Sequence, residues 1–424
     1  MMATDEAGAA RRRRLLEDVQ GRRLEEVYRD RPEVRRDLEV EAIDPDPDTL
    51  VTPEMIDQIR ELTAAKDAIG ATPSGAGLEL FGYQTDVAVI VPGFLASTLG
   101  DASAGGLGLI WVSPRVAFRD AIGALRLGRF DGDEADFDPA VRVRAIGPLP
   151  IFYDLLRLKL EVHRYDAQVF AVDWRRDLEL ASKALVDRLR ALGTQGRPIH
   201  LLAHSQGALV ARRALQRLGA REARRLVRHL VLLGPANHGT FAAAFGIAGN
   251  NDLMPLIRKL VVEPACGFQS VLASMSGIYQ LLPWDRTRVP WLEANDLGRP
   301  EFWKVPVDRD RLARFHGWGR AVDARFFDDR TAVILGDGAG LATVGGVAFE
   351  GPTLVRLPGD DLAGDGTVPH SCSVLPGVAT YLARGAEHSM IATRRPVLNA
   401  VLDILADRPV ALARVASEPA AHLP

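Results

Sequence analysis

The stretch IHLLAHSQGA, residues 199–208, decides the fold. Its apolar first half predicts a buried strand, and the apolar residues after Gly207 recur at helical spacing. Ser205 therefore lies on a sharp turn between a strand and a helix, where its hydroxyl is exposed as a nucleophile. Because such a turn brings strand and helix close together, the positions two before and two after the serine must be small. These positions hold Ala203 and Gly207.

This turn is typical of the nucleophile elbow of the α/β-hydrolase fold, and the rest of the chain has the matching pattern. Further apolar strands are predicted at 86–91, 168–172, 229–234, 331–336 and 377–382, with helices between them. Such alternation predicts a mainly parallel sheet with helices on both faces. We expect a charged, helical N-terminal arm at 1–80 and a hydrolase domain at 81–424. The domain should carry a lid insertion at about 95–144 and a cap insertion at about 241–329.

An acid and a base are expected downstream of the serine, because the fold orders its catalytic triad as nucleophile, acid, histidine. Asp365 lies in a glycine-flanked loop, whereas Asp337 directly follows the strand at 331–336, so both are candidates for the acid. His388 follows the last predicted strand, which is the usual place of the base. His370 is its rival, although it follows Asp365 too closely to come from a different strand end.

The oxyanion hole needs two backbone N–H groups aimed at the charge that develops on the ester oxygen. Gln206, directly after the nucleophile, supplies one, and Phe94, after the strand at 86–91, is the candidate for the other. The two insertions are rich in apolar and aromatic residues, which favours a lipid or another apolar ester as substrate, although ordinary core packing explains the lid residues equally well. The candidates for substrate binding are Leu95, Trp111, Phe118 and His238.

Several segments, taken in order, resemble the lecithin:cholesterol acyltransferase-like family of lipid acyltransferases and phospholipases. They are 89–94, 173–175, 203–207, 279–283, 364–369 and His388. The resemblance implies an acyl-serine intermediate on Ser205, an acid at Asp365 rather than Asp337, and a base at His388. The segment 234–240 looks more like bacterial triacylglycerol lipases, so the catalytic class carries over better than the substrate.

Composition is ordinary for a globular enzyme. Of 424 residues, 47% are apolar and 25% are charged, and the net charge of −3 does not favour nucleic-acid binding. No run approaches the roughly 18 apolar residues of a membrane span, and the basic residues 11–14 are followed by acidic ones rather than by a signal sequence. We therefore expect a cytoplasmic protein, and an arginine-rich, lysine-poor composition suggests a bacterial source. With two cysteines and no ligand-like spacing, neither a metal nor a cofactor is predicted.

The N-terminal arm has a charge pattern of its own. Between residues 11 and 44, ten arginines and ten acidic residues surround a thin apolar stripe, which predicts one or two helices. We expect the arm to dock on the body, with a protein partner for the arm as the alternative. A lipid-ester hydrolase or acyltransferase in transient contact with a membrane surface is the favoured function. A hydrolase of small esters and an interaction or effector module that uses the arm are the alternatives.

Overall fold

The computed structural model describes a large part of the chain in ten ranges. These are 22–43, 51–71, 85–103, 108–111, 121–129, 134–250, 268–323, 329–338, 342–359 and 361–415. The strands in chain order are β1 (Val87–Val91), β2 (Ser97–Asp101), β3 (Gly108–Trp111), β4 (Val143–Pro148), β5 (Asp166–Val169), β6 (Ile199–His204), β7 (Val227–Leu233), β8 (Thr331–Gly336), β9 (Thr343–Val344), β10 (Val347–Glu350), β11 (Thr353–Arg356), β12 (Asp361–Leu362), β13 (Ala379–Ala383) and β14 (Ala413–Val415).

A seven-stranded sheet forms the centre of the molecule, in the order β14-β13-β8-β7-β6-β1-β5. All neighbouring pairs are parallel except β13 and β14, which run antiparallel. The inner strands β1, β6 and β8 are buried along their whole length. They consist mainly of apolar residues because helices cover both faces of the sheet. The predicted fold class is confirmed.

The strand predictions fail mainly at the edges of this sheet. The strand expected at 168–172 is β5, which ends at Val169 and is only partly buried because it pairs with β1 alone. The short strand β14 was not predicted, because its residues are largely exposed and carry no apolar alternation. The strands β2 and β3 of the lid range form an antiparallel sheet with β4, which begins at the end of that range, and the apolar residues of the range did not reveal this sheet.

The helices are grouped around the sheet and in the arm. They are α1 (Leu24–Asp30), α2 (Pro32–Ile43), α3 (Pro53–Ala71), α4 (Pro150–Val162), α5 (Leu178–Gly193), α6 (Gln206–Leu226), α7 (Phe241–Ala248), α8 (Phe268–Leu272), α9 (Ser276–Tyr279), α10 (Arg309–Asp323), α11 (His370–Ser373) and α12 (Arg395–Leu405). Short 3-10 helices lie at Ala121–Leu125, Pro290–Glu293, Pro300–Phe302 and His388–Thr393. In the part of the chain that the structure covers, no helix is long and apolar enough to cross a membrane.

A buried arginine joins the lid range to the sheet. Arg175 is fully buried, and its guanidinium lies 2.8 Å from Asp173 Oδ2 and 2.9 Å from Asp136 Oδ1. It also donates to the carbonyl of Leu125 at 3.1 Å. The neighbouring Trp174 donates its indole N–H to the carbonyl of Ser97 at 3.0 Å. The segment 173–175 therefore fixes the start of β2 and the far part of the lid range at one point, since a buried guanidinium must have its partners.

The described helices of the arm, α1 to α3, pack against the body through α4. Leu24 N–H donates to the buried carboxylate of Asp154 at 2.7 Å, and Arg23 and Lys66 both pair with Glu161. Gln58 donates its side-chain amide to the carbonyl of Thr393 at 2.9 Å. The apolar face of these helices is buried; it consists of Leu24, Val27, Tyr28, Val34, Leu38, Met55, Ile56, Ile59 and Leu62.

Candidate active site

Ser205 occupies a strained turn at the end of β6. Its φ and ψ of 53° and −121° lie in a region that residues other than glycine seldom adopt. The turn requires Gly207 because a Cβ there would lie 2.4 Å from the carbonyl oxygen of Val91. A Cβ on Gly93 would likewise lie 2.9 Å from the Cβ of Ser205. The segment after β1, which contains Gly93 and the candidate oxyanion donor Phe94, is therefore packed directly against Ser205.

Ser205, His388 and Asp365 form a continuous hydrogen-bonded chain. His388 Nε2 lies 2.8 Å from Ser205 Oγ, and His388 Nδ1 lies 2.7 Å from Asp365 Oδ2. A carboxylate can only accept, so the ring proton lies on Nδ1 and Nε2 is free to accept the serine hydroxyl proton. The arrangement matches the geometry of a serine–histidine–aspartate triad.

The carboxylate of Asp365 is buried and held by backbone donors. Its Oδ1 accepts the N–H groups of Thr367 at 3.1 Å and Val368 at 2.7 Å. Its own carbonyl accepts the N–H of His388 at 3.0 Å. Three separate contacts thus orient Oδ2 toward the imidazole, which explains why a glycine-flanked loop is a suitable place for the acid.

The rival residues have other partners. Asp337 accepts the backbone N–H of Gly385 and thereby supports the loop that leads to His388. His370 Nε2 lies 2.6 Å from the carbonyl oxygen of Gly336, so the imidazole donates to the backbone. The structure brings Asp365 and His388, rather than Asp337 and His370, to the serine.

The expected oxyanion donors lie on either side of Ser205. Gln206 begins α6, and its backbone N–H and that of Phe94 have no protein acceptor among the described residues. Phe94 belongs to a β-turn closed by the N–H of Ala96 and the carbonyl of Gly93 at 3.2 Å. Leu95 has a φ of 62° there, as the third position of a type II turn requires. Both N–H groups are thus available to an acyl oxygen.

A cavity that is open to solvent is lined by the serine, the histidine and the aspartate; its space is about 670 Å³ when the open solvent at its mouth is included. Phe94 and Leu95 line one side of it. Ala242 and Ala243 of α7, Ile278 of α9 and Leu281 line it from the cap range. The walls next to the nucleophile are therefore largely apolar.

Of the four candidates for substrate binding, Leu95 lines this cavity. Trp111 does not; it is 1% exposed and stacks on Phe268, with ring centroids 6.3 Å apart. Its indole N–H donates to the carbonyl of Leu95 at 2.7 Å. Trp111 therefore supports the β-turn at 93–96, here called the oxyanion turn, without lining the cavity. Phe118 lies outside the described residues.

His238 is also buried away from the cavity lining. Its Nδ1 lies 3.1 Å from Asp285 Oδ2, and its backbone N–H donates to the carbonyl of Cys372 at 2.8 Å. Burial alone would raise the pKa of Asp285, but hydrogen bonds from His238 and Thr287 outweigh it and lower the pKa to about 2. His238 therefore joins the loop after β7 to the cap range.

The fold agrees with that of a solved structure. The solved structure of the Tle4–Tli4 complex superposes with a TM-score of 0.51 at 15% identity, over 76% of this chain and 99% of that chain. The chain has the α/β-hydrolase fold. Two further matches have lower TM-scores: mature lipase BlEst2 of Bacillus licheniformis (0.37, 14% identity, 76% of this chain and 91% of that chain) and phospholipase PlaB of Legionella pneumophila (0.40, 12% identity, 78% and 58%).

Sequence comparison does not identify a family for the chain. No family model matches the chain. The uncharacterized protein YJR098C of Saccharomyces cerevisiae is 28% identical over 153 residues, which is 34% of this chain and 22% of that protein. The chain thus matches about a fifth of the length of this relative.

Two further contacts at the candidate site were not predicted. The side chain of Gln206 is buried and donates to the carbonyl of Gly277 at 3.1 Å, which ties the elbow to α9. The ring of His204 lies 5.0 Å from that of His388 between centroids, although His204 does not line the cavity. A histidine directly before the nucleophile was the only sequence signal for this contact.

Proposed function

We propose that this protein is a serine hydrolase or acyltransferase that acts on lipid esters, such as phospholipids or acylglycerols, through an acyl-serine intermediate. The observation that carries the proposal is the hydrogen-bonded chain from Ser205 through His388 to Asp365, which opens into a cavity with apolar walls. The resemblance of the sequence to the lecithin:cholesterol acyltransferase-like family supports the same substrate class.

The proposed reaction begins with attack of Ser205 Oγ on the ester carbonyl carbon while His388 Nε2 takes the hydroxyl proton. The N–H groups of Phe94 and Gln206 stabilise the oxyanion, each by about 3 kcal/mol by analogy with other serine enzymes. Asp365 holds the imidazole in its tautomer and stabilises the imidazolium.

Collapse of the tetrahedral intermediate breaks the bond to the alcohol, which leaves with the proton from His388. Water then attacks the acyl-serine with His388 again as base, and the carboxylic acid is released. A bound alcohol in place of water would complete an acyl transfer. The residues of the site supply every proton step.

The apolar lining favours an extended acyl chain in the cavity. Each buried methylene contributes about 0.8 kcal/mol, or about fourfold in binding. The catalytic efficiency kcat/KM should therefore increase with acyl length until the chain fills the space between the oxyanion turn and the cap helices. Acetate esters would be poor substrates, because they leave these walls uncovered.

A fluorophosphonate probe and a series of p-nitrophenyl esters from acetate to long acyl chains test the proposal together. The probe should label Ser205, and Ser205→Ala should abolish both labelling and esterase activity. Ser389→Ala is the matched control, since Ser389 lines the same cavity and its variant should still be labelled at Ser205. Persistent labelling of the Ser205→Ala variant would overturn the assignment of Ser205 as the nucleophile. A preference for acetate esters would instead favour a hydrolase of small esters.

A further inference from the structure

We propose that Tyr153 and His204 form a buried positioning relay that fixes the oxyanion turn and the catalytic base relative to each other. The inference rests on the proposed function, because it assigns these residues to the same reaction. Neither residue lines the cavity, so neither contacts the substrate there. They act through Gly93 on one side and through His388 on the other.

The relay consists of three hydrogen bonds. Gly93 N–H donates to Tyr153 Oη at 3.0 Å, and Tyr153 Oη lies 2.7 Å from His204 Nδ1. His204 Nε2 lies 3.0 Å from the carbonyl oxygen of His388. Four separate segments are joined in this way: the turn after β1, helix α4, the end of β6 and the 3-10 helix that begins at His388.

The hydrogen-bond partners assign each proton of the relay to one atom. Tyr153 Oη accepts from Gly93, so its single O–H proton is available for His204 Nδ1. His204 Nδ1 is then an acceptor, and Nε2 must carry the ring proton. A carbonyl can only accept, and the Nε2–H of His204 donates to the carbonyl of His388. The relay therefore specifies one tautomer and one ring orientation of His204.

Burial keeps the relay neutral. Tyr153 and His204 are both buried, and burial raises the pKa of the Tyr153 phenol. Burial, with His388 as a neighbouring cation when it is protonated, lowers the pKa of His204 to about 3. The charged groups that face His204 are His388 and Asp365. His204 thus stays uncharged while His388 gains and loses its proton next to it.

Position is what this relay controls. Gly93 directly precedes Phe94, the proposed oxyanion donor, and the carbonyl that His204 holds belongs to the base itself. A displacement of about 1 Å in either group is enough to weaken a transition-state contact, because oxyanion stabilisation requires donors at about 3 Å from the developing charge. Breaking the relay leaves buried polar groups unpaired, which favours such a displacement.

Three variants separate the two ends of the relay. Tyr153→Phe removes the hydroxyl and leaves Gly93 N–H and His204 Nδ1 without a partner. His204→Asn keeps an amide near the position of Nδ1 and loses the donor to His388, whereas His204→Gln keeps a donor near the position of Nε2. The matched control is Tyr279→Phe, because Tyr279 is equally buried and its hydroxyl also bridges two backbone groups, Ala273 C=O and Asp308 N–H.

We expect Tyr153→Phe and His204→Asn to lower kcat and the rate of fluorophosphonate labelling about tenfold to a hundredfold, with KM nearly unchanged. His204→Gln should recover part of the loss. Tyr279→Phe should lower the melting temperature by a similar amount and keep the kcat of the wild type. Wild-type kcat in Tyr153→Phe, or an equal loss in Tyr279→Phe, would overturn the relay.

Nuclear magnetic resonance with ¹⁵N-labelled histidine gives a readout that does not depend on activity. His204, assigned with the His204→Gln variant, should stay neutral with its proton on Nε2 from pH 5 to pH 8. A proton on Nδ1, or a doubly protonated ring at pH 6, would overturn the relay. A wild type that is not labelled at Ser205 would instead remove the proposed function, and with it the catalytic role of the relay.

Discussion

Replacing Trp111 with phenylalanine should slow ester cleavage equally for short and long acyl chains. The sequence suggests that Trp111 lines an acyl channel, in which case its loss would affect long chains most. In the structure its indole N–H supports the carbonyl of Leu95 at 2.7 Å, behind the cavity wall. Trp111→Phe keeps an aromatic ring against Phe268 and Trp174 and removes this hydrogen bond.

The size of the effect follows from two costs. Leaving a buried carbonyl without its hydrogen-bond donor costs about 1–3 kcal/mol of free energy. Leu95 also carries about 1–2 kcal/mol of left-handed backbone strain, which the turn can release once the indole no longer holds it. If Phe94 N–H moves with the turn, the loss of one oxyanion donor sets an upper limit of about 3 kcal/mol. We therefore expect kcat/KM to fall about tenfold to a hundredfold.

The assay is kcat/KM on p-nitrophenyl esters of graded length, with Trp303→Phe as the matched control. Trp303 is also buried and donates its indole N–H to a backbone carbonyl, that of Leu297 at 2.9 Å. The control variant should keep the kcat/KM of the wild type. A loss in Trp111→Phe that grows with acyl length would refute the reasoning and return Trp111 to the acyl channel.

Three further predictions concern the acid, pH and the arm. Asp365→Asn should lower kcat by roughly a thousandfold or more through loss of tautomer control, and Asp337→Asn only slightly; steady-state kinetics with both variants would reveal a reversed order. The folded pKa of His204, about 3, lies below its ordinary 6.5, so protons favour the unfolded chain as pH falls below 6.5. Between pH 7 and pH 5 the wild type should lose about 2 kcal/mol of unfolding free energy through this group, and His204→Gln should lack this part of the loss in urea titrations. Gln58→Met should leave the carbonyl of Thr393 unpaired and cost about 1–3 kcal/mol of stability, measurable by thermal unfolding.

The sequence predicts the centre of this molecule well, because its signals are local. The elbow around Ser205 is a strand, a turn and a helix within ten consecutive residues, and its small positions are dictated by steric contact. The strands β1 and β8 are nearly continuous apolar runs, and β6 and β7 are mainly apolar, as is typical of parallel sheets buried on both faces. The position of His388 follows from the order of the loops after the strands, whereas the choice of Asp365 over Asp337 came only from the resemblance of segment 364–369 to a known family. Such features need no knowledge of how distant side chains meet.

Other features depend on side-chain direction, which spacing does not determine. Trp111 and His238 are both close in sequence to segments of the site, yet one supports the oxyanion turn and the other pairs with Asp285. The relay through Tyr153 joins residues more than fifty positions apart, and no local pattern predicts that a tyrosine of α4 meets a histidine of β6. Long-range polar contacts of this kind are the main features that the sequence did not predict.

The contacts of the N-terminal arm bear on both the sequence predictions and the candidate active site. Its sequence left open a docked arm and an arm that binds a partner, and the described helices bury their apolar face on the body. Their polar contacts reach Asp154, the neighbour of Tyr153, and Thr393, which ends the 3-10 helix that begins at His388. A module that recruits a partner through this apolar face would first have to detach it from α4. Detachment would remove supports next to the relay and the base, so partner binding through the arm would oppose catalysis rather than accompany it.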